Sequence, residues 1–219
     1  MKRGAVAKGQ VHIKWSADFA YAIGLLASDG FLSQNGQYIS LVSKDKEQII
    51  NFMQALKISN LKIGKNISGS GLSLSYRVQF GDVLFHTWLR TVGITPKKSK
   101  TISTVAVPEK FFFDFLRGVF DGDGSFYSYY DKRWKSSFMF YMAFASGSKQ
   151  FTDWLRGSLQ KKLGVYGHVT KDKKKSVYQL KYAKQEALKI VKKVYYSEDV
   201  RCLKRKRIKI SNAIRQSNN

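Results

Sequence analysis

Cysteine is almost missing from this sequence. Cys202 is the only one in 219 residues, so no disulfide can form within the chain, and a reducing compartment inside the cell is the expected location. Histidine is nearly as scarce. His12, His86 and His168 are scattered and offer no zinc-ligand spacing. That argues against zinc fingers and against nuclease centres built on clustered histidine. No apolar run approaches the roughly 18 residues of a membrane span. Met1 to Lys8 lack the long apolar segment of a secretory signal. The largest deficit is in negative charge: 15 Asp and Glu stand against 39 Lys and Arg, a formal net charge of +24.

What is present is otherwise ordinary for a folded protein. Apolar residues make up 43% and charged residues 25%, and the length suffices for one large domain or two small ones with a real core. The surplus of +24 calls for a polyanionic partner. A membrane reader would carry a basic amphipathic helix with a strong apolar face. Here the Lys and Arg are spread among strand-like segments, so nucleic acid is the expected partner and a membrane is not.

Two stretches organise the chain. Tyr21-Ala22-Ile23-Gly24-Leu25-Leu26-Ala27-Ser28-Asp29-Gly30-Phe31 is echoed by Phe115-Leu116-Arg117-Gly118-Val119-Phe120-Asp121-Gly122-Asp123-Gly124-Ser125-Phe126. Aligned on Asp29 and Asp123, Gly24 matches Gly118 and Ser28 matches Gly122. Residues four apart share one helix face. Two helices with small residues on that face can cross with their backbones unusually close. A crossing there brings Asp29 and Asp123 side by side at the helix ends. Two such carboxylates are costly unless a cation neutralises them, and hard divalent cations take carboxylate oxygens and keep several waters.

These lines resemble the LAGLIDADG motif of homing endonucleases, in the form with two motifs per chain. Leu116–Gly124 is the closer match; the first copy departs at Ala27, where the family often has Asp. The resemblance covers nearly the whole chain from Ser16. It implies a monomer that binds double-stranded DNA through a saddle of two curved antiparallel sheets. It also implies cleavage of both strands across the minor groove with Mg²⁺, leaving short 3′ overhangs. Mn²⁺ is expected to substitute, and Ca²⁺ to support binding only. Met1 and the length fit a free-standing intron-encoded protein. The alternatives are a maturase that binds intron RNA, or a relative that binds DNA without cutting.

The remaining sequence reads as a duplicated αββαββα module, an α+β class in which two pseudo-symmetric modules pack through the motif helices. Residues 1–15 form a basic arm, 16–107 the first module with its linker, and 108–219 the second with a basic tail. In the first copy Ser16 caps the motif helix, and Phe31–Leu41 is a hairpin turning at Asn35-Gly36. Lys46–Lys57 is an amphipathic helix. Leu61–Phe80 is a second hairpin around Ser68-Gly69-Ser70-Gly71. Asp82 caps a helix with Val83, Leu84, Trp88 and Leu89 as its apolar stripe. Pro108 opens the second motif helix at its first position. Hairpins at Gly124–Phe144 and Val165–Tyr182, and helices at Lys149–Leu163 and around Ala187–Val194, complete the repeat. Asp29 and Asp123 lie 94 apart, whereas Gln48 and Gln150, like Tyr76 and Tyr178, lie 102 apart. The extra 8 residues fall in the second copy's first hairpin, near Tyr130-Asp131-Lys132-Arg133.

Asp29 and Asp123 are the expected metal ligands. The resemblance implies help from the backbone carbonyls of Ser28 and Gly122. Asp121 reads instead as a helix-end residue bonded to backbone across the helix pair. Family members place basic or polar groups around the metals. Lys98 and Lys206 occupy corresponding places after the last helix of each copy, with Lys97 and Arg205 as register alternatives. Lys44 matches another such position, and counting 102 onward gives Ser146 as its partner, so the two halves would be unequal. Each lysine could instead be a plain phosphate contact. Base contacts are expected from strand side chains in the major groove: Ser33, Tyr38, Ser40, Lys65, Ser75, Arg77 and Gln79 in the first copy, and Ser125, Tyr127, Tyr129, Arg133, Lys171 and Gln179 in the second. A one-residue slip would turn any of them to the other face.

Overall fold

The structure is a computed structural model. It describes residues 9–67, 74–132, 138–172 and 176–218, with Asn218 by its backbone alone. The turn at Ser68–Gly71 and Arg133 lie outside the described residues.

The two motif helices are α1 (Ala17–Ser28) and α5 (Phe112–Asp123). The Ser16 hydroxyl accepts a hydrogen bond from the Phe19 N–H at 3.1 Å and caps α1, as expected of a serine before an apolar run. Every residue from Phe19 to Ala27 is buried. A helix apolar on all sides belongs in the middle of a protein. Pro108 does not begin α5. It precedes a 3-10 turn (Glu109–Phe111), and α5 starts at Phe112.

The helices cross on their small residues. A Cβ placed on Gly24 would collide with the Phe115 carbonyl and come within 2.9 Å of the Gly118 Cα. A Cβ on Gly118 would collide with the Tyr21 carbonyl. Glycine is therefore required at both positions by the backbone of the other helix.

Each motif helix leads into a four-stranded antiparallel sheet. In the first half β1 (Gly30–Leu32), β2 (Ile39–Ser43), β3 (Gly64–Ile67) and β4 (Leu74–Phe80) lie in the order β1-β2-β4-β3. Helices α2 (Lys46–Ala55) and α3 (Val83–Thr91) follow the two hairpins. In the second half β5 (Gly124–Tyr130), β6 (Phe138–Ser146), β7 (His168–Asp172) and β8 (Val177–Ala183) lie in the order β5-β6-β8-β7, with α6 (Lys149–Leu163) and α7 (Lys184–Val194). Gly36, at φ 74°, makes the β1–β2 turn.

One face of each sheet is packed. Ile39, Leu41, Val78 and Phe80 form it in the first sheet, and Phe126, Phe140, Met142 and Tyr182 in the second; all are buried. Alternate residues face outward.

Four expectations need correction. The apolar stripe of α3 consists of Phe85, Trp88 and Leu89 beside the buried His86, while Val83 and Leu84 are half exposed. Asp82 does cap that helix, accepting from the Phe85 N–H at 2.8 Å. The linker contains a short helix, α4 (Lys98–Thr101), and the basic tail forms a long one, α8 (Lys204–Asn218). The repeat offset in the first hairpin is also larger by one. Ser43 accepts from the Asp45 N–H and Ser146 from the Ser148 N–H, and Asp45 and Ser148 are the residues just before α2 and α6. Ser43 therefore matches Ser146, Lys44 matches Gly147, and Gln48 matches Phe151. Tyr76 still matches Tyr178, each paired with that serine.

The segment joining α7 to α8 ties the halves together. Arg201 bridges Asp18 at 3.1 Å and Gln54 at 2.6 Å. The Cys202 carbonyl accepts from the Asn51 amide at 2.9 Å, and the Leu203 N–H donates to Asp121 at 2.7 Å.

Candidate active site

α1 ends at Ser28, whose hydroxyl folds back onto the carbonyls of Gly24 and Leu25. Asp29 is the next residue. Gly122 sits against this corner: a Cβ there would overlap the Ser28 hydroxyl and lie 3.0 Å from Asp29 Oδ2. The end of α1 is thus pressed onto the last turn of α5, which carries Asp123.

The carboxylates feel one another. Burial, then the Asp29 charge, pushes the Asp123 carboxyl up to about 6, against the pull of Lys98 and Lys206. Burial also raises Asp29, and a hydrogen bond from Gln48 followed by the charges of Lys98 and Lys206 offsets part of that rise. Asp123 as a residue has open surface, yet burial is the largest cause of the rise in its carboxyl.

Two buried lysines complete the centre. Lys97 takes the left-handed conformation at φ 59°, which is uncommon for a residue with a side chain. It turns the chain so that Lys98 points inward, only 5% exposed, with Nζ donating to the Ser28 carbonyl at 2.6 Å. Lys206, on the first turn of α8, is 7% exposed. Its Nζ donates to the carbonyls of Phe120, Asp121 and Gly124 at 2.6, 2.9 and 2.6 Å, and reaches that of Gly122 at 3.4 Å. Each lysine therefore closes the negative end of a motif helix. Burial lowers both ammonium groups to about 8 despite the nearby carboxylates. Lys97 is exposed, and Arg205 is exposed and paired with Asp45 at 2.6 Å. In the register the structure adopts, Lys98 and Lys206 are the inward pair.

Asp121 belongs to the frame. It is buried and accepts from the Tyr21 hydroxyl at 2.9 Å and from the Leu203 N–H. The backbone partner lies in the segment before α8, and the bond across the helix pair comes from a side chain. Burial, chiefly, raises its carboxyl to about 6.

The centre is not symmetric. Gln48 is buried, donates to Asp29 Oδ2 at 2.9 Å and accepts from the Ser43 hydroxyl at 2.8 Å. Its counterpart Phe151 is a core residue, and Gln150 is exposed. Lys44 is exposed and lines a cavity of about 410 Å³ with Asp29, Gln48, Ser75, Gly122 and Arg205. Matching Gln48 with Gln150 concealed its role; alignment on the helix caps would have revealed it.

The residues fit a hard divalent cation in part. Asp29 and Asp123 supply two converging carboxylates, and among the described residues no cluster of three or more His, Cys, Asp or Glu forms. The Ser28 carbonyl, expected as a further ligand, accepts from Lys98 Nζ at 2.6 Å and that of Gly122 lies 3.4 Å from Lys206 Nζ, and each keeps a second lone pair. Beyond these groups, an ion would draw on water and phosphate oxygens.

Several expected base contacts are misplaced. Ser33 is buried, its hydroxyl accepting from the Tyr38 N–H and its carbonyl facing His86. Ser40 points outward but is covered, lying between Phe31 and Gln79. Lys65 pairs with Tyr76 and Lys171 with Tyr178, so both lie on the tyrosine face, opposite the expected one. The remaining picks are on the outer faces. Tyr38 stacks on Phe31 at 5.7 Å; Ser75, Arg77 and Gln79 line β4; Ser125, Tyr127 and Tyr129 line β5; Gln179 lies on β8. Phe31, Asn66 and Tyr141 share these faces and were not anticipated.

Residues 111–195 match the family model described as LAGLIDADG-like domain. In fold, the chain is similar to the homing endonuclease I-WcaI bound to its DNA recognition sequence, with a TM-score of 0.62 and 14% identity over 90% of this chain and 88% of that one. It is similar to the I-LtrWI LAGLIDADG homing endonuclease bound to target DNA, at 0.60 and 12% over 92% and 97%. It is also similar to full-length DUF199/WhiA from Thermatoga maritima, at 0.58 and 9% over 95% and 67%. No curated protein matches the sequence. Residues 111–195 thus match a LAGLIDADG-like domain, and the chain as a whole has the α+β fold of these LAGLIDADG structures.

Proposed function

We propose that this protein is a divalent-metal-dependent endodeoxyribonuclease that cuts both strands of a long double-stranded DNA site and leaves 3′ overhangs, acting as a monomer on intron-type mobile DNA. Its modules would divide as 16–107 and 108–219 after a basic arm of 1–15. The observation that carries this reading is the meeting of two carboxylates, one from each half, at the crossing of α1 and α5, with two buried ammonium groups beside them.

Mg²⁺, when bound, would neutralise charge on the scissile phosphate and lower the pKa of an attacking water. The protein's own groups do the rest. Asp29 and Asp123 would hold the ion. Lys98 and Lys206 fix the helix ends and place positive charge where the phosphate oxygens become more negative. Lys44 reaches the Asp29 side of the centre from its exposed position. The outer faces of the sheets, with a net charge of +24 behind them, bind the duplex.

A second reading, DNA binding without cutting, is favoured by one observation: Lys98 Nζ already occupies one lone pair of the Ser28 carbonyl. The two readings separate in a gel assay on duplexes selected from a randomised library. The nuclease reading expects Mg²⁺ and Mn²⁺ to give linear product, Ca²⁺ to give a shifted complex without fast cutting, and binding to fall with salt by about 0.9 log units per log unit for each phosphate neutralised. Bound but uncut duplex in Mg²⁺ and Mn²⁺ alike would establish the second reading, and a flat salt response would defeat both.

A further inference from the structure

The second sheet carries a row of tyrosines that the catalytic centre does not use. Tyr127 lies directly opposite Tyr141 across the β5–β6 pair, with ring centroids 5.3 Å apart and planes at 15°. Tyr129 stacks on the same Tyr141 at 6.3 Å and 6°. Strand alternation puts all three opposite the packed face of Phe126, Phe140 and Met142. Tyr127 is 37% and Tyr129 43% exposed.

The orientation of the rings decides what this row can bind. Each ring covers the face of its neighbour, so few faces are left for a nucleic-acid base to stack on. The row offers ring edges instead, with the hydroxyl groups at its tips. Such a surface is apolar along its flank and polar only at its tips. The corresponding β1–β2 pair of the first sheet carries one stacked ring pair, Phe31 and Tyr38, while polar groups face outward further along that sheet: Arg77 and Gln79 on β4 and Asn66 on β3. In a major groove those groups suit purine edges, whereas an apolar edge suits the C5-methyl group of thymine.

We infer that the Tyr127–Tyr141–Tyr129 ladder is a specificity element that selects thymine in the half-site under the second module, by covering thymine methyl groups. The inference rests on the duplex-binding reading given above. Two methyl groups taken out of water are worth about tenfold in affinity.

Removing only those methyls tests it. A duplex selected from a randomised library in Ca²⁺ is resynthesised with deoxyuridine for every thymidine, which preserves base pairing. The wild-type protein is expected to bind the uridine duplex about tenfold more weakly. The Tyr129→Ala/Tyr141→Ala variant is expected to bind both duplexes equally while keeping the wild-type salt dependence. Equal wild-type affinity for the two duplexes overturns the inference and leaves duplex binding standing, and the wild-type arm needs no variant to fold. A variant that retains the full thymidine preference also overturns it. Failure to select or retain any duplex defeats the underlying duplex-binding reading instead.

Discussion

At the helix crossing the first half supplies Gly24, Ser28 and Asp29, and the second supplies Gly118, Gly122 and Asp123. A little further along, the halves diverge. Gln48 braces Asp29 while Phe151 stands in its place behind Asp123. On the first hairpin of each sheet the outward rings are the pair Phe31 and Tyr38 in the first half and a three-tyrosine ladder in the second. A three-residue β1 becomes a seven-residue β5. Contact between the halves holds their shared features in place, because each glycine answers the backbone of the other helix. Nothing in the packing restrains the outer faces in the same way, so they can differ.

If the crossing is equally tight on both sides, Gly24→Ala and Gly118→Ala should be similarly harmful. Each would force a Cβ into a backbone carbonyl, and each is expected to destabilise the fold by about 3 kcal/mol or prevent folding. Denaturant midpoints would show it. A large loss at one glycine with tolerance at the other would break the equivalence.

The brace on Asp29 predicts unequal strand cutting. Gln48→Leu removes the hydrogen bond and should slow one strand by roughly 10- to 100-fold, the range seen when residues supporting a metal ligand are lost. Nicked circles should accumulate from a supercoiled plasmid carrying the site. Equal slowing of both strands would assign Gln48 to the fold alone.

A smaller effect concerns stability without metal. The Asp123 carboxyl titrates at about 6 in the fold, above its ordinary 3.8, so the fold favours the protonated acid. Stability from this group is complete below about 4 and is lost as pH rises through about 6. Asp123→Asn should therefore stabilise the protein at pH 7 in EDTA, on the order of 1 kcal/mol once solvent screening of an open carboxyl is allowed for. Melting curves at pH 4.5 and 7 would show the gain only at the higher pH. A gain at both would have some other cause.

The motif, the repeat and the hairpins were legible because they rest on local rules: small residues four apart, a serine cap, alternating strands. Lys98 and Lys206 were found because both follow the last helix of their copy. Gln48 was not, since one glutamine was matched to another by type when the helix caps fixed a different register. Lys65 and Lys171 went to the wrong face for a related reason. Pairing with Tyr76 and Tyr178 is a fact of sheet register, and a short exposed strand carries no apolar alternation to reveal it. The α8 helix was expected only as a basic tail, since its sequence is rich in Lys and Arg. Burial of Leu203, Ile210 and Ala213 holds it down, a tertiary effect that charge composition hides.

The account turns on one acidic side chain from each half serving a common centre. The direct measurement is cleavage of a supercoiled target plasmid in Mg²⁺ by Asp29→Asn and by Asp123→Asn, with duplex affinity measured alongside in Ca²⁺. Neither variant should produce linear DNA, and both should bind close to wild type. Linear product at the wild-type rate from either one would contradict it.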